Sequence, residues 1–232
     1  MWWDAIYQAF VLLVSFDSQL FEIIGLSLFV SGYALLLSAL LALPLGAVLA
    51  IGSFPLQGAL RILMQSLTGL PPVLAGLLIY TLLSKQGILG ILSLLYTPSA
   101  MVIVQVVIMT PLLTIMTRQT LYDRWATDQE QWLSFGGNKP GGDKPFLMAC
   151  YFLYDARMAL LTALLTALSR GLSEVGGVMI VGGNIEHATR VMTTAIALET
   201  SKGDLPVAFS LGFVLLLLSV LITSSTLRLQ RR

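Results

Sequence analysis

Five stretches of this chain are apolar over the lengths a bilayer demands of a helix: near Leu20 to Ile51, Leu56 to Leu83, Ser99 to Leu121, Tyr151 to Val181 and Pro206 to Leu227. A helix crossing hydrocarbon needs roughly 20 mostly apolar residues, because backbone groups that meet no water must satisfy one another within the segment. This selects an all-α polytopic membrane protein with about five transmembrane helices. Composition agrees, with 56% of the 232 residues hydrophobic and 11% charged, where a soluble domain carries about 25% charged residues. The first stretch would run about 48 Å at about 1.5 Å per residue, so in a core of about 30 Å it must tilt, project or kink. Pro44 is the expected kink.

With 13 Lys+Arg against 12 Asp+Glu, there is no basic excess to attract nucleic acid. The single cysteine, Cys150, excludes an intrachain disulfide, and with the lone His187 it forms no metal-ligand set. The placement of the charges is more informative than their sum. The longest polar interval, Tyr122 to Pro145, reads as a loop outside the membrane. If it is cytoplasmic, the inside receives Arg61, Arg118, Arg124, Lys139, Lys144, Arg157, Arg228, Arg231 and Arg232, and the outside only Lys85, Arg190 and Lys202. The positive-inside rule favours that orientation, with the N-terminus outside and the C-terminus cytoplasmic. Residues 1–19 lack the basic start and small-residue site of a cleaved signal, and Trp2, Trp3 and Tyr7 suit a membrane-water interface. They are read as an interfacial N-terminal helix, with a sixth span as the alternative, of one transmembrane domain spanning 1–232. Five spans make a thin wall for a pathway, so two copies are expected to form it across a twofold axis.

Four elements carry chemical information. The polar interval contains Glu130-Gln131-Trp132-Leu133-Ser134-Phe135-Gly136, and Asp155-Ala156-Arg157 follows as the chain returns to the membrane. The glycine-rich run from Gly136 to Lys144 lacks the Gly-Lys-Ser/Thr ending and the preceding strand of a phosphate-binding loop, so the chain offers no ATP site of its own. Within the fourth stretch, Arg170 and Glu174 stand four positions apart. In one continuous helix they would share a face and could pair, either lining a watery cavity or fixing helix packing. Beyond them, Gly182-Gly183-Asn184 suits a helix C-terminus. The segment from Glu186 to Thr200, with Arg190, Thr193 and Thr194, suits a dipping or interfacial element. In the second stretch, the Pro71-Pro72 pair marks a break or kink.

These residues resemble a known family. Glu130 to Gly136 with Asp155 and Arg157 is similar to the cytoplasmic loop of ABC importer permeases, although Gln131, Trp132 and Tyr154 depart from the usual residues and Gly137 to Lys144 is longer than usual. The run from Arg170 through Glu174-Val175-Gly176-Gly177, Val181-Gly182-Gly183-Asn184-Ile185, Thr189 to Ile196 and Glu199 to Asp204 resembles oxyanion permeases for molybdate, sulfate and tungstate. The tungstate branch fits best. Leu70-Pro71-Pro72-Val73 also matches a segment that borders the pathway in that family. The resemblance implies a type I (MetI-like) permease fold in the cell membrane, without enzymatic activity and with no cofactor bound by this chain. It implies a homodimer with two ATPase subunits that bind ATP-Mg, and an external substrate-binding protein. Residues 122–150 would be the coupling loop, with Glu130, Gly136, Asp155 and Arg157 facing the ATPase. Pro71, Pro72, Arg170, Glu174, Gly182, Gly183, Asn184, Arg190, Thr193 and Thr194 would be pathway residues. Two further readings stand beside this one: an ion-coupled secondary transporter using Arg170 and Glu174, and a membrane scaffold that binds a partner through the 122–145 loop.

Overall fold

A computed structural model describes Tyr7, Val11 and residues 18–52, 54–134 and 145–230. Most of the interfacial helix expected at 1–19, and Gly136 with the glycine-rich run after it, lie outside the described residues. Those described form α1 (Ser18–Ile51), α2 (Gln57–Leu67), α3 (Pro72–Leu83), a 3-10 turn (Gly90–Leu92), α4 (Pro98–Ser134), α5 (Pro145–Asp155), α6 (Arg157–Leu172), α7 (Gly176–Gly182), α8 (Met192–Lys202) and α9 (Leu205–Gln230).

Among the described residues, three helices are long and apolar enough to cross a membrane singly: α1, the Pro98–Asp128 part of α4, and the Leu205–Arg228 part of α9. The other two expected spans are bent. α2 and α3 meet at 104°, and Met148–Asp155 meets α6 at 75°. Counting each bent pair as one span gives five.

The α2–α3 bend follows from the proline pair. Neither Pro71 nor Pro72 can donate a backbone hydrogen bond, and the Pro72 ring drives Pro71 out of the helical region, to φ −60°, ψ 127°. Pro72 then starts α3 at the position where a missing N–H costs nothing. The span from Leu56 to Leu83 thus carries the break expected at its proline pair. α2 buries none of its residues, and α3, with 12, is too short to cross alone.

Two corrections concern the polar interval and the fourth stretch. Tyr122 to Ser134 is not loop but the last turns of α4. No Gly or Pro interrupts it, and Gln119 Nε2 donates to Asp123 Oδ1 at 2.8 Å across one turn. The expected single span from Tyr151 to Val181 is broken twice, at Ala156 and at Ser173–Val175. The first bend keeps Phe152, Ala156 and Leu160 together in one core with Ala47, Ile51 and Leu121.

α1 and α4 form the centre of the bundle and run in the same direction. Ser27, Ser31, Ala34, Ser38, Ala42 and Gly46 recur every three or four residues along α1 and are all buried. Small side chains on one stripe let helices approach closely. At Gly46 a Cβ would lie 2.6 Å from Thr117 Cβ. α1 continues as one helix through Pro44. One end of the bundle gathers the start of α1 and the turn around residues 183–191, and Glu22 meets His187 there at 2.8 Å. The opposite end gathers the end of α1, the far turns of α4, and α5.

Candidate functional site

The second break in the fourth stretch builds the most polar part of the interior. α6 ends at Leu172, and Gly177, which would ordinarily donate to the carbonyl four residues back, donates instead to Glu174 Oε1 at 3.0 Å. A side chain that competes for backbone donors, next to two glycines of low helical propensity, is enough to end one helix and start another. Glu174 is thereby buried, at 7% exposure, and its own backbone N–H donates to Gly171 O at 3.1 Å.

Neighbouring elements tie into this break through polar groups. Thr193 Oγ1, near the start of α8, donates to the Glu174 carbonyl at 2.8 Å. Gln105 Nε2, from α4, donates to Gly171 O at 3.1 Å. Ser27 Oγ, from α1, accepts the Met192 N–H at 2.7 Å while donating to Ile23 O. Thr194 Oγ1 accepts the Val191 N–H at 3.1 Å, which satisfies one of the free donors at the start of α8. Gln105 stands seven residues inside the start of α4, so this group lies about 10 Å along that helix from its end.

Arg170 and Glu174 do not share a helical face, contrary to expectation. Glu174 lies past the end of α6, Arg170 is exposed in its last turn, and no ion pair joins them among the described residues. The break itself is the reason, since four-residue spacing places side chains together only where the helix continues.

The glycine signal is confirmed. Gly183 closes α7 at φ +71° and Asn184 follows at φ +52°, both left-handed. Thr189, fully buried, locks the turn by donating to Gly182 O and accepting the Ile185 N–H. Pro71 is exposed and Pro72 half-buried at the α2–α3 bend. Gly76 and Gly177 bring α3 and α7 into backbone contact, since a Cβ at Gly76 would sit 2.7 Å from Gly177 Cα.

Arg190 is drawn in toward the start of α1. Its side chain is 12% exposed, with Nη1 3.5 Å from Glu186 Oε1. It lines a cavity of about 250 Å³ with Gln19, Glu186, Glu199, Lys202 and Asp204. Three carboxylates and two cations there leave no excess positive charge to hold an anion. Beside it, His187 is held above its ordinary pKa, first by its hydrogen bond to Glu22 and then by that carboxylate's charge.

At the opposite end, Glu130 is exposed in the last turns of α4. Asp155 lies 3.9 Å from Arg124, and Arg157 covers the Tyr154 ring at 4.5 Å while donating to the Tyr154 carbonyl. Phe152 and Trp125 anchor this surface edge to face, with centroids 5.9 Å apart.

Sequence reasoning passed over Gln105, Ser27 and Ser31, and named Thr189 only as part of the family-like run. The available signal was polar residues inside apolar runs, with Ser27 and Ser31 one turn apart on the small-residue stripe.

No family model matches the chain. It is similar to the tungstate uptake system permease protein TupB of Peptoclostridium acidaminophilum, 39% identical over 96% of this chain and 95% of the relative. TupB of Campylobacter jejuni is 31% identical over 98% and 93%. A probable anion ABC transporter permease protein of Haloferax volcanii is 34% identical over 87% and 86%. The similarity covers nearly the whole length of the chain and of both TupB relatives, and the chain belongs to the tungstate-uptake family of ABC transporter permeases.

Proposed function

We propose that this chain is the membrane permease of a tungstate importer, working as a homodimer with two ATPase subunits and an external substrate-binding protein. The observation that carries the reading is near full-length similarity to two permeases named for tungstate uptake. Selectivity between tungstate and molybdate resides mainly in the binding protein, because the two tetrahedral anions share charge and nearly share size.

The exposed guanidinium of Arg170 supports a pathway across a twofold interface. It stands next to Gly171, at the depth of Gln105, and a charge there faces protein or water rather than lipid. In this reading Pro71, Pro72 and Arg170 border the passage, while Glu174, Thr193 and Thr194 hold the broken helix in place behind it. Gly182, Gly183, Asn184 and Arg190 shape its outer mouth. The end bearing Glu130, Asp155 and Arg157 faces the cytoplasm and receives the ATPase, on which ATP-Mg is bound and hydrolysed. ATP binding draws the coupling surfaces together and opens the pathway outward, and hydrolysis resets it.

Proteoliposomes containing the permease, its ATPase and its binding protein should take up radiolabelled tungstate only with internal-face ATP, and Arg170→Ala should assemble normally but lose most uptake. Uptake by the permease alone under an ion gradient would replace this reading with a secondary transporter.

A further inference from the structure

Behind the break at Glu174 lies a cavity of about 10 Å³, bounded by α1, α4, α6 and α8 and lined by Ser27, Ser31, Gln105, Glu174 and Thr193. That is about the volume of one water-sized sphere. Gln105 is 4% exposed, and its Oε1 is buried without a hydrogen-bond partner. The amide cannot be turned to relieve it, because the reversed amide would face oxygen against the Gly171 carbonyl that Nε2 now serves.

Two of the three lining hydroxyls have their protons committed elsewhere, and Ser31 alone has one to give. Thr193 donates to the Glu174 carbonyl and Ser27 to the Ile23 carbonyl, leaving lone pairs as what they can offer the cavity. One Glu174 oxygen accepts from Gly177, and no basic side chain pairs with the carboxylate among the described residues. Gln105, Glu174, Thr193 and Ser27 thus present four acceptors, and one water together with the Ser31 hydroxyl has only three protons to give. An ionised carboxylate removed from water also needs a positive charge close by.

We propose that this cavity binds one monovalent alkali cation, held by the Glu174 carboxylate, Gln105 Oε1 and the hydroxyl oxygens of Ser31, Thr193 and Ser27. Oxygen-only ligands suit a hard cation, and the single carboxylate balances a single charge. The C-terminal end of α6, at a helix break within a membrane segment, adds its negative dipole end. The ion pins α1, α4 and α8 to the break, and the proposal is independent of which oxyanion is transported.

The test uses the full-length permease in lipid nanodiscs. Its thermal midpoint should rise saturably in NaCl or KCl over N-methyl-D-glucamine chloride at equal ionic strength. The wild-type chain should retain one ²²Na⁺, displaced by unlabelled salt, with affinity lowered by about tenfold or more in Glu174→Gln and Gln105→Leu. Identical wild-type melting in all three salts with no retained ²²Na⁺ would overturn the proposal, and this arm needs no variant to fold. A midpoint that responds to acid but not to salt would make a proton the counter-charge and overturn it equally. An alkali-dependent shift that survives in both variants would place the ion elsewhere.

Discussion

At the scale of single residues, two polar groups four positions apart have opposite fates. Arg170 is exposed and Glu174 is buried on a backbone N–H, because the chain leaves its helix between them. Spacing made the pair visible in the sequence, but the hydrogen bond that breaks the helix depends on where Gly177 is held. His187 is the only histidine in the chain, so its titration can be followed without ambiguity. Its pKa is raised from 6.5, chiefly by the hydrogen bond to Glu22. The contact is therefore fully favourable below the ordinary histidine value and is lost as pH rises through the raised one. Histidine-selective NMR should place the midpoint above 6.5, and Glu22→Gln should bring it back toward about 6.5. An unchanged midpoint in that variant would mean that Glu22 does not hold the ring.

At the scale of elements, prolines and glycines decide where apolar stretches stop being straight. Pro71-Pro72 announced a break in the sequence, and the break is there at 104°. The bend at Ala156 had no such announcement. It arises from the demand that Phe152, Ala156 and Leu160 all reach one core, which no local propensity encodes. The α3–α7 crossing offers a test with opposite signs. At Gly76 or Gly177 a Cβ would fall within 3.0 Å of backbone atoms of the facing element, where no rotamer change gives relief. Gly76→Ala and Gly177→Ala should each lower stability by about 1–3 kcal/mol. Gly25→Ala, with nothing within 4 Å of its Cβ, should be neutral or stabilising by up to about 1 kcal/mol. Thermal or chemical unfolding in nanodiscs reads both, and equal effects at the three sites would remove the close crossing.

At the scale of the whole molecule, the distribution of basic residues predicts an orientation, with the end bearing His187 outside and the end bearing α5 in the cytoplasm. The turn carrying His187 and Arg190 meets the start of α1, while Cys150 stands in α5 near the other end. Cys150 is exposed and is the only cysteine, which makes it a natural reporter. A membrane-impermeant maleimide should label it in inside-out vesicles and not in intact cells. In a Cys150→Ser background, His187→Cys should give the reverse. Labelling of Cys150 in intact cells would invert the assigned topology.

The sequence by itself determined the membrane setting, the approximate number of crossings, the proline break and the run of residues that carries the family likeness. Each of these follows from local quantities: segment length against bilayer thickness, a missing N–H, or residue order. Only the tertiary structure decided that the polar interval begins as helix, that the fourth stretch breaks twice, and that Arg170 and Glu174 separate. It also decided that Gln105, Ser27 and Ser31, which look like stray polar residues in apolar spans, converge with Glu174 and Thr193 on one cavity. The physical reason is that satisfying a buried backbone donor and a buried amide depends on partners far away in the chain, as for Met192 with Ser27 and Gln105 with Gly171. No reading of local periodicity contains that distance.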